Sequence, residues 1–218
     1  MGKFDAVVFD FDGTLVDSQW MWSSFTARSL RSRGYDVTDE EIAQSEQWNR
    51  ARSIAYFSAK FGEPEFPGLE IQDTRDDIEK FYTESVRWKP GAEECVKALR
   101  KAGVKVCILS ATPTYLLRIA LKRLHAEDLF DDIISTKDLG AEKHESICFE
   151  RCLARIGTIA ERTAFVEDFV NNLACAKRCG LPTFAVYERC RKDEWDFVRT
   201  IVTASAETLT GLLDIFIS

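Results

Sequence analysis

The chain has 218 residues, with 29 Lys and Arg against 36 Asp and Glu, a net charge of −7 at pH 7. That length can bury a core of good size and fits one domain, or one domain carrying a smaller insertion, while the charge argues against nucleic acid as a bulk partner. With no apolar run of about 18 residues and no leader-like opening, no membrane partner is expected and a cytoplasmic location is.

The first apolar run, Ala6 to Phe9, reads as a buried strand and leads straight into Asp10-Phe11-Asp12-Gly13-Thr14. From about Asp17 to Trp88 there is no convincing strand, only helical spacing. Trp22, Phe25, Thr26, Ser29 and Leu30 mark one helix ending near Gly34, followed by Asp39 to Glu46, Ser53 to Phe61 and Asp73 to Val86. The turn-rich stretch Gly62 to Gly68 separates the last two. Lys89-Pro90-Gly91 opens a helix that stops before Gly103. Strands then alternate with helices: Val104 to Leu109, helix Pro113 to Leu124, Ile133 to Ser135, helix Glu145 to Ile156, Ala164 to Val166, helix Asn171 to Cys179, and Thr183 to Val186. Such alternation predicts an α/β fold, a Rossmann-like parallel sheet with helices on both faces, plus an inserted all-helical unit. The expected boundaries are residues 1–16 and 89–218 for the core and 17–88 for the insertion.

Seven cysteines, at 95, 107, 148, 152, 175, 179 and 190, form no CxxC. Cys148 with Cys152, and Cys175 with Cys179, have the i, i+4 spacing of small buried helix residues. The two histidines, His125 and His144, make no ligand-like pair, so zinc is not indicated, and an odd count argues against a disulfide framework.

In an open parallel sheet, ligands sit at the carboxyl ends of the strands. The first run ends in Asp10 and Asp12, the second in Ser110 and the fourth in Glu167 and Asp168. Any one of these carboxylates alone could be a loop residue or a helix cap. Converging on one edge, they would repel one another unless a cation or shared protons compensated, and oxygen donors favour a hard ion such as Mg²⁺, which also suits a phosphorylated ligand. Lys143, ahead of the next helix, could add a fixed positive charge or could be an ordinary solvated lysine.

At these residues the sequence resembles the haloacid dehalogenase superfamily, and within it the phosphatase branch with a helical cap after the first strand, as in phosphoglycolate phosphatase and β-phosphoglucomutase. The family's DxDGT motif, an apolar pair and Asp-Ser match Asp10 to Ser18; its strand-ending Ser matches Ser110; its lysine matches Lys143 better than Lys137; its acidic motif matches Glu167-Asp168 with Asn172 four residues on. The resemblance implies a Mg²⁺-dependent phosphomonoester hydrolase for a small phosphorylated metabolite, monomeric or a small homo-oligomer. Asp10 would be the nucleophile that becomes an aspartyl-phosphate, and Asp12 the acid and then the base. Ser110 and Lys143 would bind the phosphoryl group, with Gly13, Thr14 and Ala111 around it. Asp10, the Asp12 carbonyl and Asp168 would hold the metal. Glu167, where the family's motif usually has Gly, and Asn172, where it has Asp, are departures that leave their own roles open. His144 stands where the lysine motif usually has Pro. Halide displacement needs no acid, so Asp12 speaks against dehalogenation. The alternatives are a phosphomutase of the β-phosphoglucomutase type and a non-catalytic binding protein on the same fold.

The cap offers Gln19, Trp20, Trp22, Trp48, Asn49, Arg50 and Arg52 as candidate readers of the leaving group. Each also has a plainer place, Trp22 in the core and the arginines on the surface. A phosphonate-cleaving relative would need a cap lysine for a Schiff base; Lys60 is the main lysine available there, and nothing in its setting recommends it.

Overall fold

The structure, a computed structural model, describes residues 3–48, 50–62 and 72–217. Asn49 and the expected loop beyond Gly62 lie outside these residues. Among the described residues six strands run in chain order as β1 Ala6–Phe9, β2 Lys105–Ser110, β3 Asp132–Ser135, β4 Thr163–Glu167, β5 Thr183–Val186 and β6 Ala204–Ala206. They form one parallel sheet in the order β3-β2-β1-β4-β5-β6. The chain builds outward from β1 in one direction and, from β4, in the other. The order therefore reverses at β1, where a crevice opens beyond the carboxyl ends.

The strands β1, β2 and β4 are almost wholly buried, which explains their near-continuous apolar runs. Alternate side chains point to opposite faces. Val7, Phe9, Val106, Ile108, Ala164 and Val166 meet α5 (Ala92–Lys101), α6 (Thr114–Arg123) and α11 (Leu213–Ile217) on one side. Ala6, Val8, Cys107, Leu109 and Phe165 meet α8 (Ser146–Ile156) and α9 (Val170–Arg178) on the other. Cys148, Cys152 and Cys175 fill this second layer as free thiols. Burial pushes the Cys152 thiol up to about 12, so it is an inert apolar filler.

Between β1 and β2 the chain makes α1 (Gln19–Ser32), α2 (Asp39–Ser45), α3 (Arg50–Phe61) and α4 (Gln72–Glu84). Thr38 and Glu41 start α2 with a reciprocal capping box. Ala27, Leu30, Val37, Ile42, Trp48 and Phe57 form a separate apolar cluster within this insertion. Met21, Phe25, Ile78, Phe81 and Tyr82 join the main core instead. The insertion's two ends come together: Val16 bridges Trp88, Asp17 N–H donates to the Arg87 carbonyl at 3.0 Å, and Lys89 N–H to that of Leu15 at 2.9 Å.

The elements beyond β5, namely α10 (Trp195–Ile201), β6 and α11, were not foreseen, nor was the one-turn helix α7 (Thr136–Leu139). Strand β6 is three small, half-buried residues, Ala-Ser-Ala, with no apolar run to announce it. Helix α7 hangs from the Ser135 hydroxyl, which accepts from Lys137 N–H at 3.3 Å.

Candidate active site

β1 delivers Asp10 to the central position of the carboxyl edge, its N–H bound to the Val166 carbonyl of the neighbouring strand at 2.9 Å. The chain then turns sharply: Gly13 has φ +86°, and its N–H reaches the Val16 carbonyl at 2.9 Å. A Cβ on Gly13 would press on Gln19 Cγ and lie 2.9 Å from Asp168 Oδ2, so glycine is needed for both backbone and space. Thr14, fully buried, points its hydroxyl at Asp168 Oδ1 from 3.4 Å.

The two aspartates of the motif have different surroundings. Asp10 sits among charges. The Lys143 ammonium donates to its Oδ1 and, at 2.7 Å, to Glu167 Oε2, and all three side chains are almost inaccessible. Asp12 sits among hydroxyls. Its Oδ1 accepts from Ser18 at 2.6 Å and from the phenol of Tyr82 on α4, and its Oδ2 from Thr112 at 2.6 Å. Trp22 Nε1 in turn donates to the Tyr82 oxygen at 3.1 Å, so two insertion helices reach Asp12 through one phenol. Burial and the adjacent Asp12 carboxylate push the Tyr82 hydroxyl well above its ordinary value, so it remains a donor.

Asp10, Glu167 and Asp168 place oxygen atoms within 4.8 Å of one another, all buried. Burial and the Glu167 charge push the Asp10 carboxyl well up, against the pull of Lys143. Burial likewise raises Glu167. Lys143 loses hydration too, but Asp10 and Glu167 outweigh that loss and hold its ammonium above the ordinary value. Asp168 goes the other way despite its burial, held down by Arg191, whose Nε donates to Oδ2 at 2.8 Å. Three carboxylates against the two cations Lys143 and Arg191 leave the cluster negative. Each cation takes one oxygen of its carboxylate, leaving the second oxygen of Asp10 and, with the Thr14 hydroxyl 3.4 Å away, that of Asp168. A buried, oxygen-only, net negative set of this kind fits a hard divalent ion. The Asp12 carbonyl, which accepts from Gln19 Nε2 at 2.8 Å, retains a second lone pair.

Glu167, whose role the sequence left open, is thus part of the carboxylate cluster. Its Oε1 accepts from the N–H groups of Asp168 and Phe169 at 3.1 and 3.2 Å, and its Oε2 from Asn172 Nδ2 at 2.9 Å as well as from Lys143. Asn172 therefore touches the cluster through Glu167. Ser110, buried at the end of β2, lines the same space, and its oxygen accepts from Thr112 N–H at 3.1 Å. Ala111, Lys137 and His144 are exposed at the rim. Lys143 and not Lys137 thus reaches the carboxylates.

Around these groups opens a cavity of about 940 Å³, walled on the insertion side by Gln19, Trp22, Ser23, Phe25 and Ile54. Trp20, Trp48 and Arg52 lie elsewhere. Trp20 packs edge-on against Phe81 beside a separate groove, and Trp48 is buried in the insertion's own cluster with the exposed Arg52 guanidinium 5.1 Å from its ring centre. Lys60 is tied to Glu41 at 2.7 and 2.8 Å and to the Asp36 carbonyl at 2.7 Å. Sequence reasoning missed Thr112, Tyr82 and Arg191. Only Thr112, two residues beyond Ser110, carried a signal, as a hydroxyl at a strand end.

No described helix is long and apolar enough to cross a membrane. The chain is 23% identical over 186 residues to a phosphorylated carbohydrates phosphatase of Thermotoga maritima, covering 81% of this chain and 82% of that protein. It is 23% identical over 207 residues to hexitol phosphatase B of Escherichia coli K12, covering 93% and 92%. It is 25% identical over 189 residues to a phosphoglycolate phosphatase of Yersinia pestis, covering 84% and 82%. Among solved structures, a HAD family hydrolase from Deinococcus radiodurans R1, crystallised with phosphate and sodium, superposes with a TM-score of 0.72 at 20% identity, covering 97% and 94% of the two chains. A HAD phosphatase from Thermococcus onnurineus superposes with a TM-score of 0.69 at 22% identity, covering 97% of each. The sequence profile of the haloacid dehalogenase-like hydrolases matches residues 7–186, most of the sheet and its carboxyl edge, and the chain belongs to that family.

Proposed function

We propose that the protein is a Mg²⁺-dependent phosphomonoester hydrolase for a small phosphorylated metabolite, working through an aspartyl-phosphate on Asp10. The observation that carries this reading is the contrast between the two motif carboxylates, one held among charges and the other among hydroxyls. Paired carboxylates in unlike environments take unlike roles.

Asp10 has two carboxylate oxygens, one to attack phosphorus, forming an O–P bond as the ester oxygen leaves, and the other to face the metal. Lys143 offsets the negative charge that a carboxylate meets on approaching a phosphate, and the Ser110 hydroxyl can donate to a phosphoryl oxygen. Asp12 gives a proton to the departing alkoxide, then takes one from the water that cleaves the acyl phosphate and returns Asp10. Ser18, Thr112 and Tyr82 hold the Asp12 carboxylate for this work. Asp10, Asp168 and the Asp12 carbonyl, with Glu167 beside them, would hold the Mg²⁺, which supplies positive charge that shields the phosphoryl oxygens from the attacking carboxylate.

Residues 17–88 act as the cap, hinged where Val16 meets Trp88, and read the leaving group from the cavity wall formed by Gln19, Trp22 and Ile54. The relatives' names, with phosphorylated carbohydrates, hexitols and phosphoglycolate among them, support a small polar substrate. The test is a panel of phosphorylated metabolites with MgCl₂, scored for inorganic phosphate. Release that stops on chelation and in Asp10→Asn is expected. Isomerisation without release would make the protein a mutase, and no turnover of any ester would remove the hydrolase reading.

A further inference from the structure

Arg191 belongs to none of the motifs above, yet it lies against the carboxylate cluster. It sits in the 3₁₀ segment Arg189–Glu194 after β5, at the point where that segment loses helical geometry (φ −119°, ψ 18°). Its Nε donates to Asp168 Oδ2 at 2.8 Å, and its guanidinium carbon lies 4.1 Å from the centre of the Phe169 ring. The Asp168 side chain is 1% exposed and that of Arg191 18%. One arginine thus clamps two consecutive residues at the end of β4 by an ion pair and a cation–π contact.

A guanidinium cannot be discharged at ordinary pH and cannot ligate a metal. Its charge therefore stabilises Asp168 while the cluster is empty and opposes any cation that arrives. Like charges a few Å apart in a partly buried site repel one another, because water screens them less than on an open surface. Asp168 has less need of Arg191 for its orientation, because the residue also meets Thr14 through Oδ1 and its N–H is fixed by Glu167. We infer that Arg191 is a built-in counter-cation that keeps Asp168 paired in the metal-free protein and lowers the affinity of the cluster for divalent cations. The inference rests on reading Asp10, Glu167 and Asp168 as a metal site.

The experiment is calorimetric titration of chelator-stripped protein with MgCl₂, alongside thermal melting with and without MgCl₂, for wild type, Arg191→Gln and Arg191→Lys. Arg191→Gln should bind Mg²⁺ about tenfold more tightly, the scale on which groups touching metal ligands set affinity. Arg191→Lys, which keeps the charge, should stay near wild type. Metal-free Arg191→Gln should melt below wild type, and saturating Mg²⁺ should close that gap, whereas a purely structural loss would persist. Equal or weaker Mg²⁺ binding by folded Arg191→Gln would overturn the inference while leaving the metal reading intact. Absence of Mg²⁺ binding by all three proteins would overturn both.

Discussion

Replacing Lys143 with Met keeps much of the side chain's bulk and removes its charge. Asp10 is 5% exposed and Glu167 1%, and both lean on the same ammonium. Glu167 retains Asn172 and two backbone N–H groups, so the greater loss falls on Asp10. Breaking a buried ion pair by removing one partner costs about 3–5 kcal/mol. Urea denaturation at pH 7 in EDTA should show a loss of that size. Two further signatures separate lost charge from lost packing. MgCl₂ should restore more stability to Lys143→Met than it adds to wild type. Lower pH should also help the variant. Carboxyls whose folded values are raised bind protons before the unfolded chain does, so stability rises as pH falls from neutrality toward the ordinary carboxylate range. If Lys143→Met in EDTA lies within about 0.5 kcal/mol of wild type, a range usual for surface substitutions, the account of this cluster is wrong.

Tyr82→Phe removes one hydroxyl donor from Asp12 and leaves the Trp22 N–H unpaired; urea titration should show a loss of about 1–3 kcal/mol, and an unchanged midpoint would deny that contact any weight. Gly13→Ala should weaken Mg²⁺ binding and abolish turnover, since its Cβ meets Asp168 Oδ2; wild-type titration and hydrolysis would contradict the turn's role. Glu41 in the insertion is held down at about 2 from an ordinary value of 4.5: its burial acts upward, but hydrogen bonds from Lys60, Thr38 N–H and Tyr56 outweigh it. This pairing stabilises above pH 4.5 and is lost as pH falls from there toward 2, so acid melting of wild type and Glu41→Gln should converge over that window.

The sheet was legible because buried parallel strands are written as unbroken apolar runs, and their carboxyl ends marked Asp10, Ser110 and Asp168 directly. Lys143 stood out only through its motif, yet it is the lysine whose ammonium reaches Asp10. What escaped was long-range pairing. Thr112 and Tyr82 lie 100 and 70 positions from Asp12, and no local pattern in β2 or α4 says which carboxylate a hydroxyl will meet. Arg191 follows β5 in a segment without periodicity, so its contact with Asp168 exists only once β4 and β5 are paired. Trp48, in an interhelical stretch, reads in sequence as a candidate reader of the leaving group but is buried, because the insertion has an apolar cluster of its own.

The claim that Asp10 carries the phosphoryl group is tested most directly by trapping it. p-Nitrophenolate leaves without needing a proton, so Asp12→Asn should still transfer the phosphoryl group from p-nitrophenyl phosphate to Asp10 but hydrolyse the adduct slowly. Acid quenching in the presence of MgCl₂, followed by peptide mass spectrometry, should find one added phosphoryl group on the peptide containing Asp10, and none in Asp10→Asn. Phosphate release by Asp10→Asn at the wild-type rate, or an adduct on any other residue, would contradict the account.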